Sequence, residues 1–180
     1  NPTNGTDTFQ LANDLQVNGT LTLSTGTLTT TGTNYALNIG DASISTGSYS
    51  QTNGTFTANN SAITCFGNYS ITGGTYNANT SILNLNATPQ NIILTSGGYT
   101  LNNILFINSS GSSPRSIGLG AGTLTFAGNF YLEATNTQDL TVTAVANSPA
   151  VNITGNLDFP GVGAGSESLL MGDGTWTVVG

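Results

Sequence analysis

The sequence predicts an all-β fold, a right-handed parallel β-helix with roughly 20–21 residues per coil. Three observations lead to it. One phrase returns as GTLTTTGT from Gly26, GSYSQTNGTF from Gly47 and GNYSITGGTY from Gly67, with its leading glycines 21 and 20 residues apart. A flanking phrase keeps the same step, Ala58-Asn59-Asn60-Ser61-Ala62-Ile63 returning as Ala78-Asn79-Thr80-Ser81-Ile82-Leu83. Short apolar-polar-apolar triplets, separated by Gly and Asn, fill the rest. An antiparallel β-sandwich is the alternative, since it also uses many short strands. It does not need an in-phase repeat, which a stacked coil does.

The first segment, residues 1–14, is a cap or a donor strand carrying Phe9 and Leu11. The β-helix domain spans 15–160. Its triplets include Leu15-Gln16-Val17, Leu21-Thr22-Leu23, Leu37-Asn38-Ile39, Leu83-Asn84-Leu85, Leu124-Thr125-Phe126 and Val151-Asn152-Ile153. Such alternation marks strands with one buried face. The intervening Gly and Asn adopt the left-handed turn conformations that redirect the chain. Three segments per coil imply a three-sided cross-section with turns about 4.8 Å apart. Leu28 then lies beneath Tyr49 and Tyr69, and Phe56 beside Tyr76. About seven rungs give a rod of roughly 30–35 Å. Beyond Asn103 the repeat loosens, which reads as insertions between rungs. Residues 161–180 read as a Gly-rich joint and an apolar tail, out of phase with the rungs. The tail acts as a C-terminal cap or adds a strand to a neighbour.

Composition removes several function classes. Charged residues make up 5% of the chain, with eight acids, the single Arg115, no Lys, no His and a net charge of −7. Neutralising phosphate needs clustered Lys or Arg, so nucleic acid is not an expected partner. No apolar run reaches the roughly 20 residues of a membrane span, and membrane insertion is not expected. Cys65 is the only cysteine, and its alternating neighbourhood favours a small buried hydrophobe. With Arg115 the only tryptic site, an extracellular or cell-surface location is expected.

The acids are scattered, without a pair in repeat register to flank a glycosidic bond, and the commonest general base is missing. No catalytic residue, cofactor or metal site is therefore expected, and the chain is not read as an enzyme. Two surfaces remain. The candidate assembly residues are Phe9, Leu11, Leu169, Leu170, Met171, Trp176, Val178 and Val179, because open strand edges at a coil's ends pair with other chains. The candidate hydroxyl array comprises Thr29, Thr31, Ser50, Thr52, Ser70 and Thr72, expected in register on one face.

Val17-Asn18-Gly19-Thr20-Leu21-Thr22-Leu23, the run NILFINSSG from Asn103 and GTLTFAGNF from Gly122 resemble the right-handed parallel β-helix repeats of secreted bacterial adhesin-like surface proteins. The resemblance implies a structural role outside the cell and supplies no catalytic residue. Gly172-Asp173-Gly174-Thr175-Trp176 is similar to a phrase of phage tail-fibre proteins. The expected function is a subunit of an extracellular filament or surface layer, joined head to tail with copies of itself. The alternatives are an adhesin or ice binder acting through a lateral Thr/Ser face, with glycans or ice as partner, and a tail-spike-like enzyme acting on polysaccharide.

Overall fold

The computed structural model describes residues 5–41, 47–86, 90–94, 99–109 and 113–180, with the backbone alone for 90–94. No described residue is helical. In chain order the strands are β1 (Thr8–Gln10), β2 (Leu15–Val17), β3 (Leu21–Leu23), β4 (Thr27–Thr29), β5 (Leu37–Ile39), β6 (Tyr49–Gln51), β7 (Thr55–Thr57) and β8 (Ala62–Cys65). There follow β9 (Tyr69–Ile71), β10 (Thr75–Asn77), β11 (Ile82–Leu85), β12 (Gln90–Leu94), β13 (Thr100–Leu101), β14 (Asn103–Asn108) and β15 (Arg115–Leu119). The last are β16 (Thr123–Phe126), β17 (Phe130–Ala134), β18 (Leu140–Thr143), β19 (Ala150–Ile153), β20 (Leu157–Asp158), β21 (Glu167–Leu170) and β22 (Trp176–Val178).

These strands visit three faces in rotation. One face is the seven-stranded sheet β2-β5-β8-β11-β14-β17-β20, and a second is β3-β6-β9-β12-β15-β18-β21. The third consists of two four-stranded sheets, β1-β4-β7-β10 and β13-β16-β19-β22. All the pairings are parallel, so the chain is a β-solenoid and the antiparallel sandwich is excluded. Six inter-strand steps separate β2 from β20, a rise of about 29 Å.

Side-chain alternation sorts the residues. On the first two faces the N-terminal triplets run in-out-in, as in Leu37-Asn38-Ile39 and Tyr69-Ser70-Ile71. On the third they run out-in-out, as in Thr27-Leu28-Thr29 and Thr55-Phe56-Thr57. All the inward residues meet in one core, where Tyr49 stacks on Tyr69 with centroids 4.7 Å apart and planes 25° apart. Phe56 meets Tyr76 edge-on at 5.4 Å. Offset and edge-to-face geometries of this kind are the favoured ones for aromatic pairs.

Corners are built by backbone that ordinary residues rarely adopt. Gly54 and Gly74, at φ of 71° and 82°, stack above Gly26 at the entry to the third face. A Cβ on Gly54 would lie 2.7 Å from the carbonyl oxygen of Gly26. At the exit, Asn34, Asn59 and Asn79 hold left-handed φ of 60°, 51° and 49°, a conformation Asn tolerates better than most side chains. The Asn79 amide donates to Asn59 Oδ1 at 3.5 Å, and the Thr80 hydroxyl donates to Asn60 Oδ1 at 2.9 Å.

The structure corrects the phase of the repeat. Tyr49 and Tyr69 do share a column, and so do Phe56 and Tyr76, but Leu28 does not lie beneath Tyr49. Leu28 pairs with Phe9 and Phe56 on the third face, and Leu21 occupies the place under Tyr49. The step is 20 residues from Tyr49 to Tyr69 but 28 from Leu21 to Tyr49. Relative to the next turn, two extra residues separate Leu28 from Leu37 and six separate Ile39 from Tyr49. The coil of about 20 residues therefore describes one stretch of the rod and not its whole length.

Both ends join the ladders, and the tail is not out of phase with the rungs. β1 pairs with β4, making residues 8–10 the first strand of the third face. β21 pairs with β18 and β22 with β19, Leu169 lying opposite Val142 and Trp176 opposite Val151. Residues 161–180 thus complete the last turn in phase. Gly163 and Gly165 are corner glycines whose Cβ would collide with the backbone of Ala134 and Gln138.

Candidate assembly ends and hydroxyl faces

At the N-terminal end the core is uncovered by any described residue. Phe9 points along the Leu28 column yet is 52% exposed. A cavity of about 310 Å3 opens there between Phe9, Leu15, Leu21, Leu23 and Leu28, rimmed by Asp7, Thr8 and Thr22. Leu11, expected to be available for assembly, is 3% exposed and belongs to the core instead. Its backbone N–H donates to Thr29 O at 3.0 Å, which draws the side chain inside.

At the opposite end the inward residues of the last turn include Leu157, Glu167, Leu169, Trp176 and Val178. The Trp176 ring meets Phe130 edge-on at 6.1 Å, and its Nε1–H donates to Met171 O at 3.1 Å. Leu169 and Trp176 are therefore half-buried floor residues, whereas Leu170, Met171, Val178 and Val179 are exposed. Asn156, Leu157, Asp158, Val178 and Gly180 line a shallow depression on this end. Among the described residues both ends leave strand edges unpaired: β1, β2 and β3 on one, β20, β21 and β22 on the other. Sequence reasoning singled out the tail but missed Leu15 and Leu21. Their triplets look like any interior triplet, and only their place in the first turn uncovers them.

The predicted hydroxyl array is divided between faces. Ser50 pairs with Ser70 on the second face, where Thr22 continues the column. Thr29 lies on the third face opposite Thr57. Thr31 has a left-handed φ of 62° in the following corner, its hydroxyl 2.9 Å from that of Thr33. Thr52 and Thr72 occupy the corner after the second face, with the Thr72 hydroxyl donating to Gln51 O at 3.4 Å. The third face instead aligns Thr8, Thr27, Thr55 and Thr75 in one unbroken column. The signal for it was a Gly-Thr step before the strand, at Gly26, Gly54 and Gly74.

Three of the acids serve the backbone. Asp14 Oδ1 accepts from Ala36 N at 2.8 Å, Asp139 Oδ1 from Ser166 N at 2.9 Å and Glu167 Oε1 from Ala134 N at 3.0 Å. Among the described residues no three His, Cys, Asp or Glu gather as metal ligands would. Arg115 opens β15 with its side chain turned inward and 5% exposed. Its Nε donates to Asn108 Oδ1 at 3.0 Å, while Nη1 finds no partner among the described residues. Burial draws its pKa below the ordinary value. Cys65 is fully buried, and burial pushes its pKa up to about 11, which suits packing and not nucleophilic chemistry.

No family model, curated protein or solved structure matches the chain.

Proposed function

We propose that this chain is a non-catalytic structural rod, a subunit of an extracellular filament or cell-surface layer whose copies join end to end. The observation that supports this reading is a pair of ends that no described residue covers. Each presents three parallel strand edges around a largely apolar floor, with Glu167 the one inward acid of the C-terminal turn, on the same three faces and with the same polarity. A second copy laid on the N-terminal end would continue all the ladders, bringing β20, β21 and β22 over β2, β3 and β1. Leu157 would come over Leu15, which heads the same column. Edge pairing supplies backbone hydrogen bonds, and a head-to-tail contact that does not close propagates as a filament. The absence of charge pairing suits this arrangement. Asp7 and Asp14 lie near one end and Asp158, Glu167 and Asp173 near the other, so added salt should strengthen assembly by screening their repulsion.

Two variants test the reading. Phe9→Glu blocks the N-terminal end and Val178→Glu the C-terminal end, both at exposed positions. Electron microscopy and analytical ultracentrifugation should show fibres for the parent, monomer for either variant alone, and capped dimers for an equimolar mixture. A parent that stays monomeric at high salt, or variants that polymerise like the parent, would refute end-to-end assembly.

A further inference from the structure

The third face carries a second surface, distinct from the ends. Its first four strands run polar-apolar-polar, so each leaves two side chains outside. The interior N-terminal triplets of the other faces leave one. The result is a two-column grid with Thr8, Thr27, Thr55 and Thr75 along one column and Gln10, Thr29, Thr57 and Asn77 along the other. Its repeats are about 4.8 Å between strands and about 6.6 Å between alternate residues of one strand.

None of these eight positions bears a charge, although the chain carries a net charge of −7. The two columns differ in their bonding. Thr29 Oγ1 accepts from the Asn59 amide at 3.3 Å and Thr57 Oγ1 from the Asn77 amide at 3.2 Å. The hydroxyls of Thr8, Thr27, Thr55 and Thr75 make no hydrogen bond to the described residues. Threonine is stiff at χ1, so this row is ordered before a ligand arrives and little entropy is lost on binding. The outward positions also lack the aromatic ring on which a sugar would stack.

A neutral grid of hydroxyls and methyls, repeating in two directions at the scale of the oxygen repeats of an ice crystal, matches a water lattice better than a glycan or a protein. We propose that this face binds ice, with Thr8, Thr27, Thr55 and Thr75 as the anchoring row. The inference does not depend on end-to-end assembly, because the grid faces sideways and stays open when ends are joined.

Freezing-point hysteresis and inhibition of ice recrystallisation, measured on the full 180-residue chain, test it directly. The parent should shape ice and separate melting from freezing. Thr27→Tyr or Thr55→Tyr should abolish the effect while circular dichroism shows an unchanged fold. Ser50→Tyr, on the second face, and Val178→Glu, at the end, should both retain it. A parent without hysteresis, or equal loss in Ser50→Tyr and Thr55→Tyr, overturns the proposal. So does retention on crystalline chitin or cellulose by a parent that leaves ice unaltered.

Discussion

The turns between residues 47 and 86 and those from residue 99 onward obey one construction rule with different materials. In the first region the step is 20 residues, both from Tyr49 to Tyr69 and from Phe56 to Tyr76. In the second it grows to 26 from Ile104 to Phe130 and 27 from Phe126 to Ile153. The strands lengthen too, from the three residues of β9 to the six of β14. Corners change their chemistry. The tight region turns on left-handed Gly and Asn backbone. The wide one keeps left-handed Gly122 and Gly172 and adds an Asn stack, in which Asn103 and Asn129 accept from the backbone N–H of Asn129 and Asn156 at 2.8 and 2.9 Å.

Their interiors diverge in the same way. The tight region buries tyrosines with their polar ends paired: Tyr49 OH donates to Gln51 Oε1 at 2.8 Å and Tyr69 OH to Tyr76 OH at 2.9 Å. The wide region packs Phe106, Phe126 and Phe130, with centroids 4.8 and 5.2 Å apart. Between the two, the third face changes from one hydrogen-bonded sheet to another. Column alignment persists through these changes because it depends only on alternation within strands. Corner length can vary where the extra residues lie at the surface, as the exposed Gly32, Thr33 and Asn34 do.

The largest effect should come from the glycine column of the tight region. Gly74→Val forces a branched residue to φ +82° and against the Gly54 backbone, which should cost roughly 4 kcal/mol. Chemical denaturation measures it, and Gly32→Ala, with open space around its Cβ, should shift stability by less than about 0.5 kcal/mol. Equal losses would mean that the corner yields.

Alkali should separate the two regions next. Burial raises the pKa of Tyr49 and Tyr69 well above the ordinary value, that of Tyr76 to about 12 and that of Cys65 to about 11. Their unfolded forms lose protons first, so the stability they contribute is whole below pH about 9 and drains away through pH about 12. Hydrogen exchange at rising pH should show residues 47–86 opening before the phenylalanine region, and simultaneous opening would contradict this.

The smallest effect falls in the wide region. Arg115→Met removes a buried, half-satisfied cation, and urea melts should show no loss or a gain of about 1 kcal/mol. A loss above about 2 kcal/mol would mean that the bond to Asn108 outweighs the desolvation of the charge. The parent, for its part, should resist trypsin while folded.

Much of this was legible beforehand. The triplets, the Gly and Asn corners, the parallel stacking and the Tyr49–Tyr69 column follow from alternation and turn chemistry, which are local. The place of Leu28 did not follow. GTLT at Gly26 resembles GSYS at Gly47 in letters, yet one enters the third face and the other the second. A repeat search cannot see eight residues inserted between matching columns. Thr29 and Ser50 were grouped by the same misalignment, and Leu11 was taken for an end residue although a backbone bond to the next turn draws it into the core.

Taken alone, the amino-acid order determined that the chain would wind into short, one-side-buried strands, since alternation and left-handed corners act within a few residues. Only the tertiary structure decided which strands share a column, which turn is first or last, and which threonines form a grid. Those outcomes depend on pairings between residues 19 to 28 positions apart, where corner length, invisible to local pattern, sets the phase.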